Sequence, residues 1–466
     1  MKNAVWAQVQ GLTYAGIEAL RPHLKIRDKY SPFGFKRAKN VEEPGWVKFM
    51  DEEGHFLVGL IPDVQNALQL IGCEPAQIFR TKSCPAPIEL DMSRLTNTIV
   101  TPRGNPLRDD QMEFIRRWAE YRRGIVWAST GFGKTAIMAA VLKMAPPQTP
   151  TIVLINSIDL IDQTLNEFIK LGVDEKLLGS YNGTVKNANW ITITTSDSLP
   201  GLIEFLPRVR LFLADECHYK IVSPSVVPYL RELVMATDRL AFSATPWKKS
   251  DPPHNWKLRG HFGVILGHAE TKPLQEAGIL SDATATFHLV GNGEIIEDCD
   301  FEMPYDEAYV RFIVENAAWH DQVAKLVKGM KGRTLLRVER KTHGMHLVDR
   351  IPNAIWISGD DKKTFRREVR EKLQNAPEDV VVVATRIFNT GVDIYIHNMV
   401  NCAGMASDIA TIQGFGRGLR LAPDKDHVDY HDFFHVKNKH LKRHAEERAR
   451  TLKKEGHEIK LLDDLV

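Results

Sequence analysis

One short loop constrains this chain more than anything else in it. Ala128–Thr135 reads Ala-Ser-Thr-Gly-Phe-Gly-Lys-Thr, directly after the apolar run Gly124–Trp127 and directly before the amphipathic stretch Thr135–Met144. A strand that turns through glycines into a helix collects unpaired N–H groups, and the positive end of the helix dipole, around one point. Gly131 and Gly133 allow the tight turn that aims successive N–H groups at an anion. Lys134 is placed to reach β- and γ-phosphates, and Thr135 to offer a hydroxyl to Mg²⁺. The first glycine of the usual G-x-x-x-x-G-K-[ST] pattern is replaced by Ala128. A plain glycine turn is the alternative, and the agreement of strand, loop, Lys-Thr pair and helix argues against it.

Such a loop belongs in a parallel sheet covered by helices, and the surrounding pattern supplies one. Thr151–Ile155, Trp190–Thr194, Val209–Ala214 and Arg239–Phe242 read as strands, with a helical face marked by Leu160, Ile161, Thr164, Leu165 and Phe168. The second half repeats the scheme, with strands at Thr334–Val338, Asn353–Ile357, Val380–Ala384 and Met399–Cys402. Helices are expected at Arg340–Arg350, Lys362–Leu373 and Ala406–Gly414. Strands alternating with helices predict parallel α/β architecture. The expected organisation is an N-terminal accessory α+β domain over 1–100, α/β lobes over 101–270 and 275–436, and a basic helical tail over 437–466. A chain of 466 residues is long enough for two to four domains at about 100–200 residues each.

A second motif sharpens the first. The strand ending at Ala214 presents Asp215-Glu216-Cys217-His218. A carboxylate at the tip of a neighbouring parallel strand can support Mg²⁺ beside a phosphate loop, and a second can orient or deprotonate an attacking water. Cys217 reads as a spacer, because no activating base lies near it in sequence.

Taken in order, ASTGFGKT, DECH, Ser243-Ala244-Thr245, Ala384–Ile394 (ATRIFNTGVDI) and Gln413–Arg420 (QGFGRGLR) resemble motifs I, II, III, V and VI of superfamily 2 helicases. The resemblance implies two tandem RecA-like parallel-sheet lobes that bind ATP and Mg²⁺. It assigns phosphate and metal binding to Lys134 and Thr135, metal support to Asp215, and the catalytic base to Glu216. Gln413, Arg417 and Arg420 match motif VI, whose arginines would stabilise transition-state charge. Arg108 and Gln111, in Leu107–Gln111, resemble the segment that contacts adenine, although a plain helix N-terminus also explains them. His218, Ser243, Thr245, Gly391 and Asp393 fall at coupling positions. Asn156, Ser157, Thr194, Thr195, Arg386 and Thr390 fall where such enzymes touch the sugar-phosphate backbone; loop capping is the rival reading for each. LRDDQ, DECH, PLQEAGIL and QGFGRGLR together look most similar to phage UvsW-type helicases, whose RecG-like activity remodels branched DNA in replication, recombination and repair.

Charge is nearly balanced in total, with 61 Lys and Arg against 59 Asp and Glu, but it is unevenly placed. Arg21–Lys39 carries Arg21, Lys25, Arg27, Lys29, Lys36, Arg37 and Lys39 against Asp28, interleaved with Tyr30, Phe33 and Phe35. Cations that neutralise phosphates and aromatics that stack on bases suit nucleic acid, while a solvated hairpin is the alternative. The tail Lys437–Lys460 is basic and reads as an exposed helix, whereas Gly291–Val310 is acidic and reads as solvent-facing or regulatory. No apolar run reaches the roughly 18 residues a membrane span needs. The five cysteines form no CxxC pair, which fits a reducing setting, the cytoplasm or, for a phage protein, the host cytoplasm. No nuclease or methyltransferase motif is evident, which speaks against a complete restriction enzyme.

The expected partner is forked or branched DNA with single- and double-stranded junctions, alongside recombination or replication proteins and no membrane. Three other readings stay open: an RNA helicase, a duplex-DNA translocase without strand separation, and an ATP-gated clamp with negligible turnover.

Overall fold

A computed structural model of the chain describes residues 1–27, 46–73, 81–82, 84–95, 106–129, 131–248, 251–291, 297–385, 394–405, 419 and 424–462. The chain divides into one unit of Met1–Ala128 and Gly133–His268 and another of Ala269–Val466 with Ser129–Phe132.

The first unit is built on an eight-stranded sheet. Its strands are β5 (Arg123–Ala128), β6 (Thr151–Ile155), β7 (Leu178–Tyr181), β8 (Lys186–Asn187), β9 (Ile191–Thr195), β10 (Leu211–Ala214), β11 (Asp238–Ser243) and β12 (Ile265–Ala269), in the order β12-β5-β11-β10-β6-β9-β7-β8. From β5 to β7 the pairings are parallel, and β8 closes the edge antiparallel. β6, β9, β10 and β11 are buried at every position, which is why β6, β9 and β10 read as continuous apolar or β-branched runs. Helices Asp109–Tyr121, Lys134–Met144, Ile161–Lys170 and Pro252–Phe262 join them. One core cluster runs from Ile125 and Phe212 through Leu230 to Phe262.

The N-terminal segment is small and is fused to this sheet rather than standing apart. It holds β1 (Trp6–Gln8) paired with β4 (His55–Leu57), a ribbon of β2 (Lys25–Arg27) and β3 (Trp46–Lys48), and helices Tyr14–Leu20 and Ile61–Leu70. Its core of Leu20, Phe56, Leu60, Val64 and Leu68 packs against Trp256. The junction lies at the amino ends of the strands. There Arg123 donates to the carbonyls of Ala4, His261 (3.0 Å) and Ala236 (3.1 Å). Arg122 donates to Ile88 O (2.9 Å) and Asp238 Oδ1 (3.1 Å), while Asp238 Oδ2 accepts from Ile88 N (3.0 Å). Arg259 pairs with Asp63 at 2.8 Å. These partly buried, multiply bonded ions tie the segment to the first sheet.

The second unit holds a seven-stranded sheet of β13 (Asp282–Val290), β14 (Arg333–Arg337), β15 (Ile355–Ile357), β16 (Val380–Ala384), β17 (Asn398–Asn401), β18 (His427–His435) and β19 (Ile459–Leu462), ordered β15-β16-β14-β17-β18-β13-β19. Every pairing is parallel. The two parallel sheets are those of tandem RecA-like lobes.

Two expectations for the flanks are corrected here. The basic tail is not a free exposed helix. Helix Lys439–Lys454 buries Leu441, Ala445, Arg448 and Leu452, spaced four, three and four residues apart on one face, and the chain then adds β19 to the sheet beside β13. Arg448 grips Asp432 with Nε at 2.8 Å and Nη2 at 2.7 Å, and Tyr430 (2.7 Å) and Asn401 (2.9 Å) donate to the same carboxylate. Nor is the acidic stretch purely solvent-facing. Ala308 and Tyr309 enter the core, Glu302 pairs with Lys439, and Asn438 Nδ2 donates to Asp300 O (2.9 Å) and Met303 O (3.0 Å). Acidic and basic stretches thus partly neutralise each other within one unit.

Candidate nucleotide site and nucleic-acid interface

The phosphate loop leaves the carboxyl end of β5, and Gly131 and Gly133 adopt φ of 86° and 96°. At Gly133 the requirement is twofold, since a Cβ there would also collide with Gln111 Nε2. Lys134 and Thr135 open the following helix, where backbone N–H groups lack intrahelical partners. Lys134 Nζ reaches across to β10's exit and donates to Glu216 Oε1 at 3.1 Å, both side chains being largely buried. The strand order places β11 between β5 and β10, so motifs I, III and II leave three adjacent strands at one edge.

Glu216 sits in the left-handed region at φ 48°, an uncommon place for a residue with a side chain. Asp215 Oδ1 accepts from Glu216 N at 2.9 Å, and Cys217 N donates to Phe242 O at 2.9 Å, which locks the turn onto β11. Burial pushes the Cys217 thiol well above its ordinary range, as suits a spacer. His218 Nδ1 lies 3.4 Å from Glu216 Oε2 and 2.8 Å from Ser243 Oγ, and Ser243 Oγ accepts from Thr245 N at 2.9 Å. Burial holds the His218 pKa below its ordinary value. A neutral imidazole protonated at Nδ1 turns that N–H towards both the Ser243 hydroxyl oxygen and Glu216 Oε2, which completes that chain of bonds. The groups expected to couple the site, His218, Ser243 and Thr245, are therefore continuous with Glu216.

Gln111 caps the helix from within its first turn. Its Oε1 accepts from Arg108 N at 3.0 Å, closing a helix cap, while its amide lies against Gly133. Arg108 forks onto Asp110, Nε to Oδ1 at 3.1 Å and Nη2 to Oδ2 at 3.2 Å. Trp127 escaped the sequence reading. Its Nε1 donates to Ala244 O at 2.8 Å, and its ring lies 4.1 Å from that of His268, so the residue before the loop ties β5 to motif III. A large aromatic just ahead of the loop was the available signal. Thr135 and Asp215 offer hydroxyl and carboxylate oxygens, the ligand type Mg²⁺ takes together with phosphate and water.

The backbone-contact candidates separate. Thr194 is fully buried and its Oγ1 donates to Tyr181 O at 2.7 Å, so the sheet uses the hydroxyl that was expected to meet phosphate. Thr195 Oγ1 lies 3.1 Å from Ser198 Oγ and is also buried. Ser157 Oγ accepts from Asp159 N at 3.3 Å, a capping bond, and Asn156 Nδ2 is buried with no hydrogen-bond partner. In the N-terminal ribbon, Lys25 pairs in register with Lys48 and Arg27 with Trp46. Period-2 alternation therefore puts three cations and an indole on one face. Lys25 Nζ lies 4.9 Å from the Trp46 ring centroid. Lys29, Lys36, Arg37, Arg386, Thr390, Gly391, Asp393, Gln413, Arg417 and Arg420 lie outside the described residues, as does the helix expected at Ala406–Gly414.

Sheet, loop and paired carboxylates define a P-loop α/β protein. The family profile "Type III restriction enzyme, res subunit" matches residues 105–248, which span motifs I to III. A candidate DNA 3'-5' helicase Rad25 of Haloarcula marismortui is 23% identical over 62% of this chain and 46% of that protein. The chain spans about half or less of the length of the curated relatives it matches. Among solved structures, a fragment of a candidate HsdR subunit of a type I restriction enzyme from Vibrio vulnificus aligns with TM-score 0.57 at 17% identity, over 76% of this chain and 68% of that one. T4 UvsW aligns over 100% of this chain and 99% of that one, at 16% identity and TM-score 0.49. The match to the restriction-enzyme res-subunit profile covers the segment with the phosphate loop and the paired carboxylates, and the solved structures share the fold of the chain.

Proposed function

We propose that the chain is an ATP-driven DNA motor that unwinds or branch-migrates forked and junction DNA in replication, recombination and repair. The observation that carries this reading is the Lys134–Glu216 pair at 3.1 Å, continuous through His218 and Ser243 with Thr245. A phosphate-binding cation, a base and a relay into a neighbouring loop are what turnover needs and a passive clamp does not. Lys134 exchanges its carboxylate partner for the β- and γ-phosphates of ATP. Glu216, relieved of that cation, accepts a proton from the attacking water. Mg²⁺ held by Thr135 and Asp215 would neutralise phosphate charge. Arg417 and Arg420 would stabilise the transition state, and Gln413 would position the same segment.

The chemistry of the N-terminal ribbon, with Lys25, Arg27, Lys48 and Trp46 on one face, supports a nucleic-acid role for residues 1–100. Relatives named as a candidate DNA 3'-5' helicase and as a DNA 3'-5' translocase support DNA as the polymer and 3'-5' as the direction. Strand separation on a labelled fork, a four-way junction, a linear duplex and an RNA duplex, with and without ATP, tests the proposal. We expect ATP-dependent products from the fork and junction. Products from RNA alone would replace DNA with RNA, and hydrolysis without strand separation would leave a duplex translocase.

A further inference from the structure

The turn that carries Glu216 continues into two residues with no part in the nucleotide site. Tyr219 is 44% exposed, although Cys217, His218, Ile221 and Val222 around it are all buried. The turn is firmly pinned. Tyr219 N donates to Glu216 O at 2.9 Å, Ser223 N to Lys220 O at 2.8 Å, and Ile221 N to Tyr219 O. Lys220 has φ 42°, so two left-handed residues with side chains, Glu216 and Lys220, flank Cys217, His218 and Tyr219. Such conformations persist only where the surroundings enforce them, and they gather at functional positions. Lys220 Nζ lies 5.6 Å from the Tyr219 ring centroid and 3.8 Å from Asp197 Oδ2.

Asp197 follows β9, Lys220 follows β10, and β6 lies between those strands. The Lys220–Asp197 contact therefore spans the exit of β6, where Asn156 leaves its Nδ2 without a partner and Ile158 is exposed. That ion pair is exposed on both sides, so it is weak and readily exchanged for a phosphate.

We propose that Tyr219 and Lys220 form a binding site for single-stranded nucleic acid, with the Tyr219 ring stacking on a base and Lys220 meeting the adjoining phosphate. A ring displayed from a rigid turn loses little freedom on binding, and base stacking tolerates any sequence, as a motor requires. The Tyr219 N–H bond to the Glu216 carbonyl puts an occupied platform and the base of hydrolysis on one turn. The inference rests on the motor reading above.

The test is binding of a fluorescent oligothymidylate to the full chain, followed by anisotropy. We expect Tyr219→Ala to weaken binding about 10-fold, the effect of losing one stacked base, and Tyr219→Phe to bind within about 2-fold of wild type because the ring and not the hydroxyl stacks. Lys220→Ala is expected to lower the slope of log affinity against log salt by about 1. Tyr219→Trp reports directly: its added indole emission should be quenched by the oligonucleotide, which also covers the case in which the alanine variant does not fold. Wild-type affinity in folded Tyr219→Ala, or unquenched added emission from a Tyr219→Trp chain that binds, overturns the platform and leaves the motor reading intact. Failure of the wild-type chain to bind any oligonucleotide overturns both.

Discussion

Replacing Glu216 with glutamine separates hydrolysis from nucleotide binding in this site. The amide keeps the size of the carboxylate but loses its charge, its basicity and its attraction for Lys134 at 3.1 Å. Loss of a positioned general base costs about 10²–10⁴-fold in rate, so kcat for ATP should fall by that factor. Binding should move the other way. In the free protein the Lys134 ammonium is committed to Glu216, and triphosphate must displace that partner. The gross attraction of such a pair is several kcal/mol at an effective dielectric constant of about 20, but desolvation cancels most of it. A residual of about 1.4 kcal/mol corresponds to about 10-fold tighter ATP in Glu216→Gln. Steady-state turnover gives the first quantity and calorimetric titration with a non-hydrolysable analogue the second. Turnover near wild type would remove Glu216 from the chemistry. Binding weakened 10-fold would refute the competition between glutamate and phosphate for Lys134.

Three further substitutions probe other parts of the fold. Gly133→Ala strains a backbone at φ 96° and drives its Cβ into Gln111, so nucleotide affinity should fall at least 10-fold by the same titration while the far-ultraviolet spectrum holds. Arg448→Met leaves Asp432 buried without its bidentate partner; a cost of about 3–5 kcal/mol should lower the melting temperature of the second unit by roughly 10 °C in calorimetry. Burial lowers His343 and His435 from 6.5 to about 3, and both ring nitrogens of His343 lack hydrogen-bond partners. The unfolded chain therefore binds more protons between those values, and stability should be complete above about pH 6.5 and decline as pH falls towards 3. His343→Leu should flatten that decline in urea titrations at successive pH values.

Phosphate chemistry is written locally, which is why the loop at 128–135 and the carboxylates at 215–216 could be read directly from sequence. The strands β13 and β18 could not. Asp282–Val290 and His427–His435 mix apolar residues with His and Asp, and only distant partners make that tolerable. Asp432 is held by Arg448 sixteen residues on, and His288 meets His431 at 2.9 Å across the sheet. Thr194 failed in the opposite sense: a short polar side chain beside a motif looked available, but the fold spends it on the Tyr181 carbonyl. In the tail, charge density masked the stripe Leu441, Ala445, Arg448 and Leu452, whose spacing was visible in the sequence. Charge at the flanks misled because it was counted along the chain, while neutralisation occurs between segments such as Glu302 and Lys439.

ATP hydrolysis measured with and without forked DNA, single-stranded DNA, duplex DNA and RNA reaches the central claim most directly. We expect slow turnover of the free chain, strong stimulation by forked DNA that fades as salt rises, and loss of stimulated turnover in Glu216→Gln. Turnover indifferent to every nucleic acid, or stimulated by RNA and not by branched DNA, would contradict an ATP-driven motor on forked and junction DNA.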